Sequence, residues 1–412
     1  MASIARKNLL EDIPRFLVAQ AGIMFAVSLV TIQLGILKGF TRSTALIVDH
    51  STADIWVASQ ELVHLELTMP LPLTLASQAQ EVEGVQRVEV VINQAARWRN
   101  QSGKIAPVRV IGFDPQGTLF RPWNLQAGSI ATLQQPYQVL LDQSNFSSLG
   151  VRNQGDTAQI SSLPATVAGW VQGTQSIASS AFLYTSLETA NAYATAGLQS
   201  DVQCRLEADG LACTSSFNRS ETAPAAAPPK ALSGSDAITY LLIKARPGED
   251  LAALKQRLDR ALPGTRAFTR QELSEQTRIY WRDRTGIGFI LGLGASVGVV
   301  VGMVIVGQIL YSSVSDHIKE FGTLKAMGAS DWTIYRVIVE QALWMAILGY
   351  FPSIALCMGL GAWTMATQGI TILITPSMAL ILFGVTVGMC ASSAVFAIQK
   401  VTRVDPAIVF KA

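Results

Sequence analysis

Four stretches of the chain are almost purely apolar: Phe16 to Phe40, Gly286 to Tyr311, Ile334 to Ala366 and Met378 to Ile398. Each reaches the ~20 residues that an α-helix needs to cross bilayer hydrocarbon. One lies near the start and three in the last third, and between the first two sits a polar block, residues 41–283. Its short alternating runs are those of a folded domain. The pattern predicts a membrane α-helical bundle of four transmembrane helices, one plus three, with a large α+β extracytoplasmic domain between the first two. The spans are predicted at 16–40, 284–311, 334–366 and 377–398, with a loop at 312–333 and a tail at 399–412. Residues 1–15 alternate Ile4, Leu9, Leu10 and Ile13 with Arg6, Lys7, Glu11 and Asp12 before Pro14. That spacing predicts a short amphipathic helix lying in the membrane interface.

Within the polar block, Asp54 to Ala58 is strand-like, and Leu75 to Glu83 is helical and ended by Gly84. Val85 to Ala96 and Pro107 to Phe113 are strand-like and joined through Asn100-Gln-Ser-Gly103, a hairpin turn signal. Short strands follow at Gln138 to Leu141, Thr157 to Ile160, Ala165 to Val171 and Ala181 to Thr185. Residues 214–235, including Ala223 to Pro229, turn to Ser, Ala and Pro and predict a flexible insert. Thr239 to Ala245 is a further strand, and Asp250 to Leu262 a helix with Leu251, Leu254, Leu258 and Leu262 on one face. The first and last pieces are expected to pack together, and the strand-rich middle to form a second lobe.

Composition agrees with a membrane protein. Only 15% of the 412 residues are charged, against roughly 25% in soluble domains. A net charge of +2 without a basic block gives no footing for nucleic acid. The first run is too long for a signal-peptide core and reads as a retained span. Arg6, Lys7 and Arg15 flank it, Lys319, Lys325 and Arg336 lie between the second and third spans, and Lys400, Arg403 and Lys411 follow the fourth. The positive-inside rule then places both termini and the 312–333 loop in the cytoplasm. Lys38, Arg42, Arg282 and Arg284 run against the rule, but long loops translocate largely regardless of charge.

Cys357 and Cys390 fall within spans as small apolar fillers. Cys204 and Cys213 fall in the polar block around Arg205 to Ala212; in an oxidising compartment they form a disulfide, and otherwise they are two free thiols. No metal is implied, because neither a second Cys pair nor a His lies nearby. The second span is rich in glycine. Gly288/Gly292 and Gly294/Gly298/Gly302 repeat at four-residue steps, which suits either packing inside one bundle or a homodimer seam. Gln33 and Gln308 are expected to hydrogen-bond between helices, and Glu340 to pair with Arg336 one turn earlier. With His50, His64 and His317 as its only histidines, the chain carries no His-Glu-x-x-His and no Gly-x-Ser-x-Gly. Asp49, His50, His64 and Glu66 are expected to be structural.

Between the second and third spans runs Ser315-Asp-His-Ile-Lys-Glu-Phe-Gly-Thr-Leu-Lys-Ala-Met-Gly-Ala-Ser330. Val314, Ile318, Phe321, Leu324 and Met327 recur at three- and four-residue steps and predict one apolar stripe. Gly328 can end that helix, and Ser330 or Asp331 can cap the next. The Lys-Glu-Phe-Gly-Thr-Leu-Lys-Ala-Met-Gly-Ala string is similar to the one that follows the second span in ABC permeases of the MacB/FtsX type, often called type VII. Val404-Asp405-Pro406-Ala407 resembles their closing motif, and the one-plus-three spans with a large intervening domain match their plan. Among them, the separate-permease type exemplified by DevC looks most similar.

The resemblance implies an ATPase-coupling role for Ile318, Glu320, Phe321, Gly322, Leu324, Lys325, Ala326, Met327, Gly328 and Ala329. It also implies a bacterial inner-membrane location and a non-catalytic subunit working with a second copy of itself. A Gly-x-x-x-x-Gly-Lys-Ser/Thr loop is missing, and Ser102-Gly-Lys104 lacks its glycine and hydroxyl positions. ATP and Mg2+ are therefore expected in a separate ABC ATPase subunit. Motion of that partner would be transmitted to the extracytoplasmic domain and drive export through a membrane-fusion adaptor and an outer-membrane channel. The alternative is an FtsX-like scaffold that transmits the motion to an extracellular hydrolase without transport.

Overall fold

A computed structural model describes residues 13–196, 201–207, 210–216, 227–368 and 372–402. It divides into two compact units, Phe40–Arg284 and Met1–Gly39 with Thr285–Ala412. Most of the expected interfacial helix at 1–15, residues 217–226 of the insert and the Val404 to Ala407 motif lie outside the described residues.

The Phe40–Arg284 unit is α+β. Its strands are β1 (Ile55–Ser59), β2 (Leu71–Pro72), β3 (Val85–Asn100), β4 (Ile105–Phe113), β5 (Leu125–Ala127), β6 (Gln138–Asp142), β7 (Thr157–Ile160), β8 (Leu163–Val171), β9 (Ala181–Ser186), β10 (Asp201–Glu207), β11 (Gly210–Ser216), β12 (Ala237–Ile238), β13 (Tyr240–Ala245) and β14 (Thr265–Thr269). Ten of them form one sheet in the order β14-β1-β13-β3-β4-β9-β6-β8-β5, with β7 pairing both β3 and β8. The expected first and last pieces do meet, since β1 pairs β13 and β14.

The two expected lobes, however, share one strand. Up to Val91, β3 pairs β13; from Ile92 to Arg99 it pairs β4, and at Trp98 to Asn100 also β7. Its turn into β4 forms at the expected residues. Gly103 adopts φ +81° and donates its N–H to the Asn100 carbonyl at 3.0 Å, while Asn100 Oδ1 accepts from Lys104 N–H at 2.9 Å.

Central strands explain why their sequences are apolar throughout. All five residues of β1 are buried. Ile55 and Val57 join Leu75, Ala79, Leu254 and Leu258 in the core beneath helices Thr74–Gln80 and Leu251–Ala261. Trp56 and Ala58 point to the opposite core with Tyr240, Leu242 and Phe268. A strand covered on both faces loses its polar alternation. Helix Leu251–Ala261 starts where expected, with Asp250 Oδ1 accepting from Ala252 N–H at 3.0 Å.

Both edges of the segment predicted as a flexible insert are ordered. Thr214 to Ser216 belong to β11, and the Gly234 carbonyl accepts from Thr74 N–H at 3.2 Å. Backbone pairing to neighbours holds both edges that residue type alone marks as loose.

In the other unit, four helices among the described residues are long and apolar enough to cross a membrane: Phe16–Ser43, Ile287–Asp316, Asp331–Met365 and Pro376–Gln399. Their buried contacts mix alanines, among them Ala19, Ala342 and Ala394, with larger groups such as Ile23, Leu310, Ile338, Met345 and Met389. The turn before the fourth helix is fastened to the first: Leu373 N–H donates to the Gly35 carbonyl at 3.1 Å, and Lys38 Nζ donates to Thr375 Oγ1 at 2.8 Å.

Candidate coupling segment

The helix Ile287–Asp316 ends at His317, whose φ of −95° and ψ of 18° leave helical geometry, and a second helix, Ile318–Ala326, begins. Ser315 and Asp316 thus finish the long helix and do not open the short one. This break shifts the expected stripe. Val314 and Phe321 are fully buried, and Ile318 and Leu324 half-buried, but Met327 is 72% exposed. A three- and four-residue count holds only along an unbroken helix.

Both ends of the short helix are tied. At its start the exposed Glu320 carboxylate lies 3.1 Å from His317 Nδ1. At its end Gly328, at φ +92°, donates its N–H to the Lys325 carbonyl at 2.9 Å, and Ala329 N–H donates to the Leu324 carbonyl at 3.0 Å. These are the two bonds of a Schellman cap, which needs a left-handed residue where glycine stands. Lys325 Nζ reaches Asp331 Oδ1 at 2.9 Å, joining the short helix to the first turn of the next.

Opposite the buried Phe321 and Gly322, an exposed edge runs through Asp316, Glu320, Thr323, Met327 and Gly328 to Trp332, itself 77% exposed. Trp332 is absent from the predicted set. The signal available for it was an aromatic placed directly after the capping Ser330-Asp331 pair, on the polar end of a span. Ala329 is half-buried; the side chains of Lys319 and Ala326 lie outside the described residues.

The predicted glycine faces separate. A Cβ at Gly294 would meet Gln33 Nε2 at 2.7 Å, one at Gly298 Val30 Cγ2 at 2.9 Å, and one at Gly302 Ala26 Cβ at 2.9 Å and also Met389 of the fourth helix, so this row packs against the first helix and, at Gly302, also the fourth. A Cβ at Gly292 would meet nothing within 4 Å, and Gly288 is half-buried. Around them Phe289, Ile290, Leu293 and Val297 are exposed. Gln33 fills the space over Gly294 and Gln308 is exposed. Arg336 and Glu340 form no ion pair with each other; Arg336 points outward, whereas Glu340 is half-buried.

In the α+β unit, β10 and β11 place Cys204 directly opposite Cys213 in antiparallel register, so they sit in paired strands and do not close a free loop. Their side chains lie outside the described residues. Asp49 accepts from Ser274 Oγ at 2.7 Å and pairs with Arg278. His64 is buried beneath Tyr280, ring centroids 4.4 Å apart, and its Nδ1 accepts from Glu66 N–H at 3.2 Å. Desolvation, and secondarily the nearby Arg109 guanidinium, lower its pKa to about 4. A neutral ring is what that accepted bond requires. Among the described residues no group of His, Cys, Asp and Glu is arranged to hold a metal.

Two family models match the chain: MacB-like periplasmic core domain over residues 16–261, and FtsX-like permease C-terminal over residues 289–406. Relatives described as macrolide export ATP-binding/permease protein MacB occur in Hyphomonas neptunium, 26% identical over 123 residues, and in Burkholderia lata, 26% identical over 134 residues. These matches cover 30% and 32% of this chain but only 19% and 20% of the relatives. Among solved structures, the periplasmic region of MacB from Actinobacillus actinomycetemcomitans aligns at 12% identity and TM-score 0.35, covering 55% of this chain and 92% of that one. The extracellular domain of the ABC-type transporter YknZ from Gram-positive bacteria aligns at 8% identity and TM-score 0.33, covering 52% and 98%.

Proposed function

Since this chain belongs to the MacB- and FtsX-like family of ABC permeases, we propose that it is the membrane half of an exporter driven by a separate ATPase. The observation that carries this reading is the short helix Ile318–Ala326, tied at both ends and seated between two spans. Its buried Phe321 shares the bundle core with Val314 at the end of the preceding long helix, so force applied to the short helix reaches the long helices on either side. Its exposed edge offers a carboxylate at Glu320 and two large apolar groups at Met327 and Trp332. Anchors of that kind fill pockets on a partner and carry most of the binding energy.

On this reading the segment faces the cytoplasm, both termini lie there, and the α+β unit faces outward from the bacterial inner membrane. The ATPase partner binds ATP and Mg2+, closes, and pushes on the helix of each copy in a dimer. Tilting of the spans moves the outer unit, which acts on cargo together with an adaptor and an outer-membrane channel. Macrolides are what the names of the relatives say those proteins export; the cargo class proposed here is wider, any amphipathic molecule reached from outside the cytoplasm. If Cys204 and Cys213 face that oxidising side, their register allows a cross-strand disulfide.

Affinity purification of the full chain from its own membranes tests the coupling role. The expected result is co-recovery of an ABC ATPase, reduced at least tenfold in Met327→Asp or Trp332→Ala while the permease itself elutes unchanged. Equal recovery from both variants would refute it.

A further inference from the structure

The turn at His64 to Leu67 presents a small apolar surface that the proposed coupling role does not use. Val63, Leu67 and Met69 are 41%, 53% and 54% exposed. The turn is nevertheless held firmly. Leu67 N–H donates to the His64 carbonyl at 2.9 Å, and the Leu65 carbonyl accepts from Tyr240 Oη at 2.7 Å and from Asn93 Nδ2 at 3.0 Å. Glu66 pairs with Arg109 at 3.1 Å, with both side chains largely buried. So many fixed bonds under three outward apolar groups describe a presented surface and not a frayed loop.

Its surroundings indicate what covers it. His64 stacks beneath Tyr280 and lies 5.2 Å, centroid to centroid, from Trp281. Gln276 Nε2 donates to the Val63 carbonyl at 3.5 Å, and the exposed Ile279 follows on the same helix face three residues later. Trp281 also meets Phe40, the last residue of the first apolar run, edge to face at 6.5 Å. The next apolar helix begins at Ile287, six residues beyond Trp281. Six residues of chain reach at most about 20 Å. Exposed Arg282 and Arg284 stand in between. Aromatic rings and arginines at the end of a span, beside apolar side chains, form the composition of a bilayer interface.

We propose that the Val63–Met69 turn docks on the lipid bilayer, with Val63, Leu67 and Met69 entering the headgroup–acyl boundary and Tyr280 and Trp281 at headgroup level. The occupant is lipid, not a second copy or an adaptor, because the surface is continuous with the residues that lead into and out of the spans. Depth here is shallow: the exposed Gln60 and Glu61 lead directly into the turn, which cannot pass into hydrocarbon.

The test uses the full chain in vesicles of phosphatidylcholine and phosphatidylglycerol. Leu67→Cys, Met69→Cys and Ile105→Cys are each labelled with an environment-sensitive fluorophore, and labelling of the unsubstituted chain is subtracted. Ile105, 62% exposed at the start of β4, serves as the water-facing control. Lipids carrying a shallow spin label should quench the probes at Leu67 and Met69 at least threefold more than the probe at Ile105, and deep-labelled lipids less strongly than shallow ones. Equal quenching at all three positions would overturn the proposal. So would a shielded probe at Leu67 and Met69 that no spin-labelled lipid quenches, since protein would then be the cover.

Discussion

The two units of this chain differ in where their largest aromatic side chains lie. In the α+β unit the largest side chains are innermost: Trp56, Trp98, Tyr184 and Tyr240 are almost fully buried. In the membrane unit alanine and glycine share the helix contacts with Ile, Leu and Met side chains, while Phe289, Phe351 and Trp363 face outward. Water drives large apolar groups together, whereas lipid is as apolar as leucine and leaves close backbone approach as the main source of attraction. The same residue therefore means different things in the two halves. An exposed phenylalanine at position 289 is ordinary, but exposed Leu67 and Met69 in the water-soluble half call for a cover.

The sharpest way to break this comparison is to remove a large buried group from the α+β unit. Trp56→Ala deletes an indole whose Nε1 donates to Ser51 Oγ at 3.1 Å and should cost about 3–5 kcal/mol. Denaturant unfolding of the full chain would read this as a loss in the α+β transition, with the helical signal of the spans retained.

Acid offers the next largest effect, confined to the same unit. His64 is held neutral with a pKa near 4, below its unfolded value near 6.5. The unfolded chain binds the proton first, so its contribution to stability is complete above pH 6.5 and is lost as pH falls towards 4. The full loss is on the order of 3 kcal/mol. His64→Phe should flatten this part of the stability profile relative to the unchanged chain, whose carboxylates titrate in both proteins. Parallel profiles would show that His64 does not contribute.

In the membrane unit the expected sensitivity is to added volume. Gly302→Leu pushes against Ala26 and Met389 and should destabilise the bundle by about 1–3 kcal/mol, measured as loss of monodisperse protein on mild heating. Gly292→Leu, with open space around it, should leave the single chain intact. If it lowers the yield of dimer alone, the second copy packs there and the comparison gains a third surface. The smallest effect expected is at the hairpin. Thiol labelling of Cys204 and Cys213 should need prior reduction, with little change in the rest of the fold.

Much of this architecture is legible in the sequence because it rests on local composition. The four apolar runs, the Asn100–Gly103 turn and the leucine face of Leu251–Ala261 each follow from neighbouring residues. What is not legible depends on distant partners. The expected strand from Val85 stops at Ala96, yet β3 continues to Asn100 because β4 and β7 pair with its second half. Composition does not reveal that one strand serves two lobes. Helix Arg270–Arg284, missing from the sequence reading, did carry a local signal: Thr269 and Glu272 form a reciprocal capping box, with bonds of 3.2 and 2.8 Å.

In the coupling segment the string from Glu320 to Ala329 is recognisable, but its exposed edge is not. That edge is set by the break at His317, which turns Met327 out and brings Trp332 alongside. The consequence can be measured at one position. With Met327→Cys in the full chain, a membrane-impermeant maleimide should label inverted membrane vesicles and not spheroplasts, and bound ATPase should protect the site. Labelling in spheroplasts, or labelling in inverted vesicles that the ATPase leaves unchanged, would contradict the assignment of this helix as the point where the motor engages the permease.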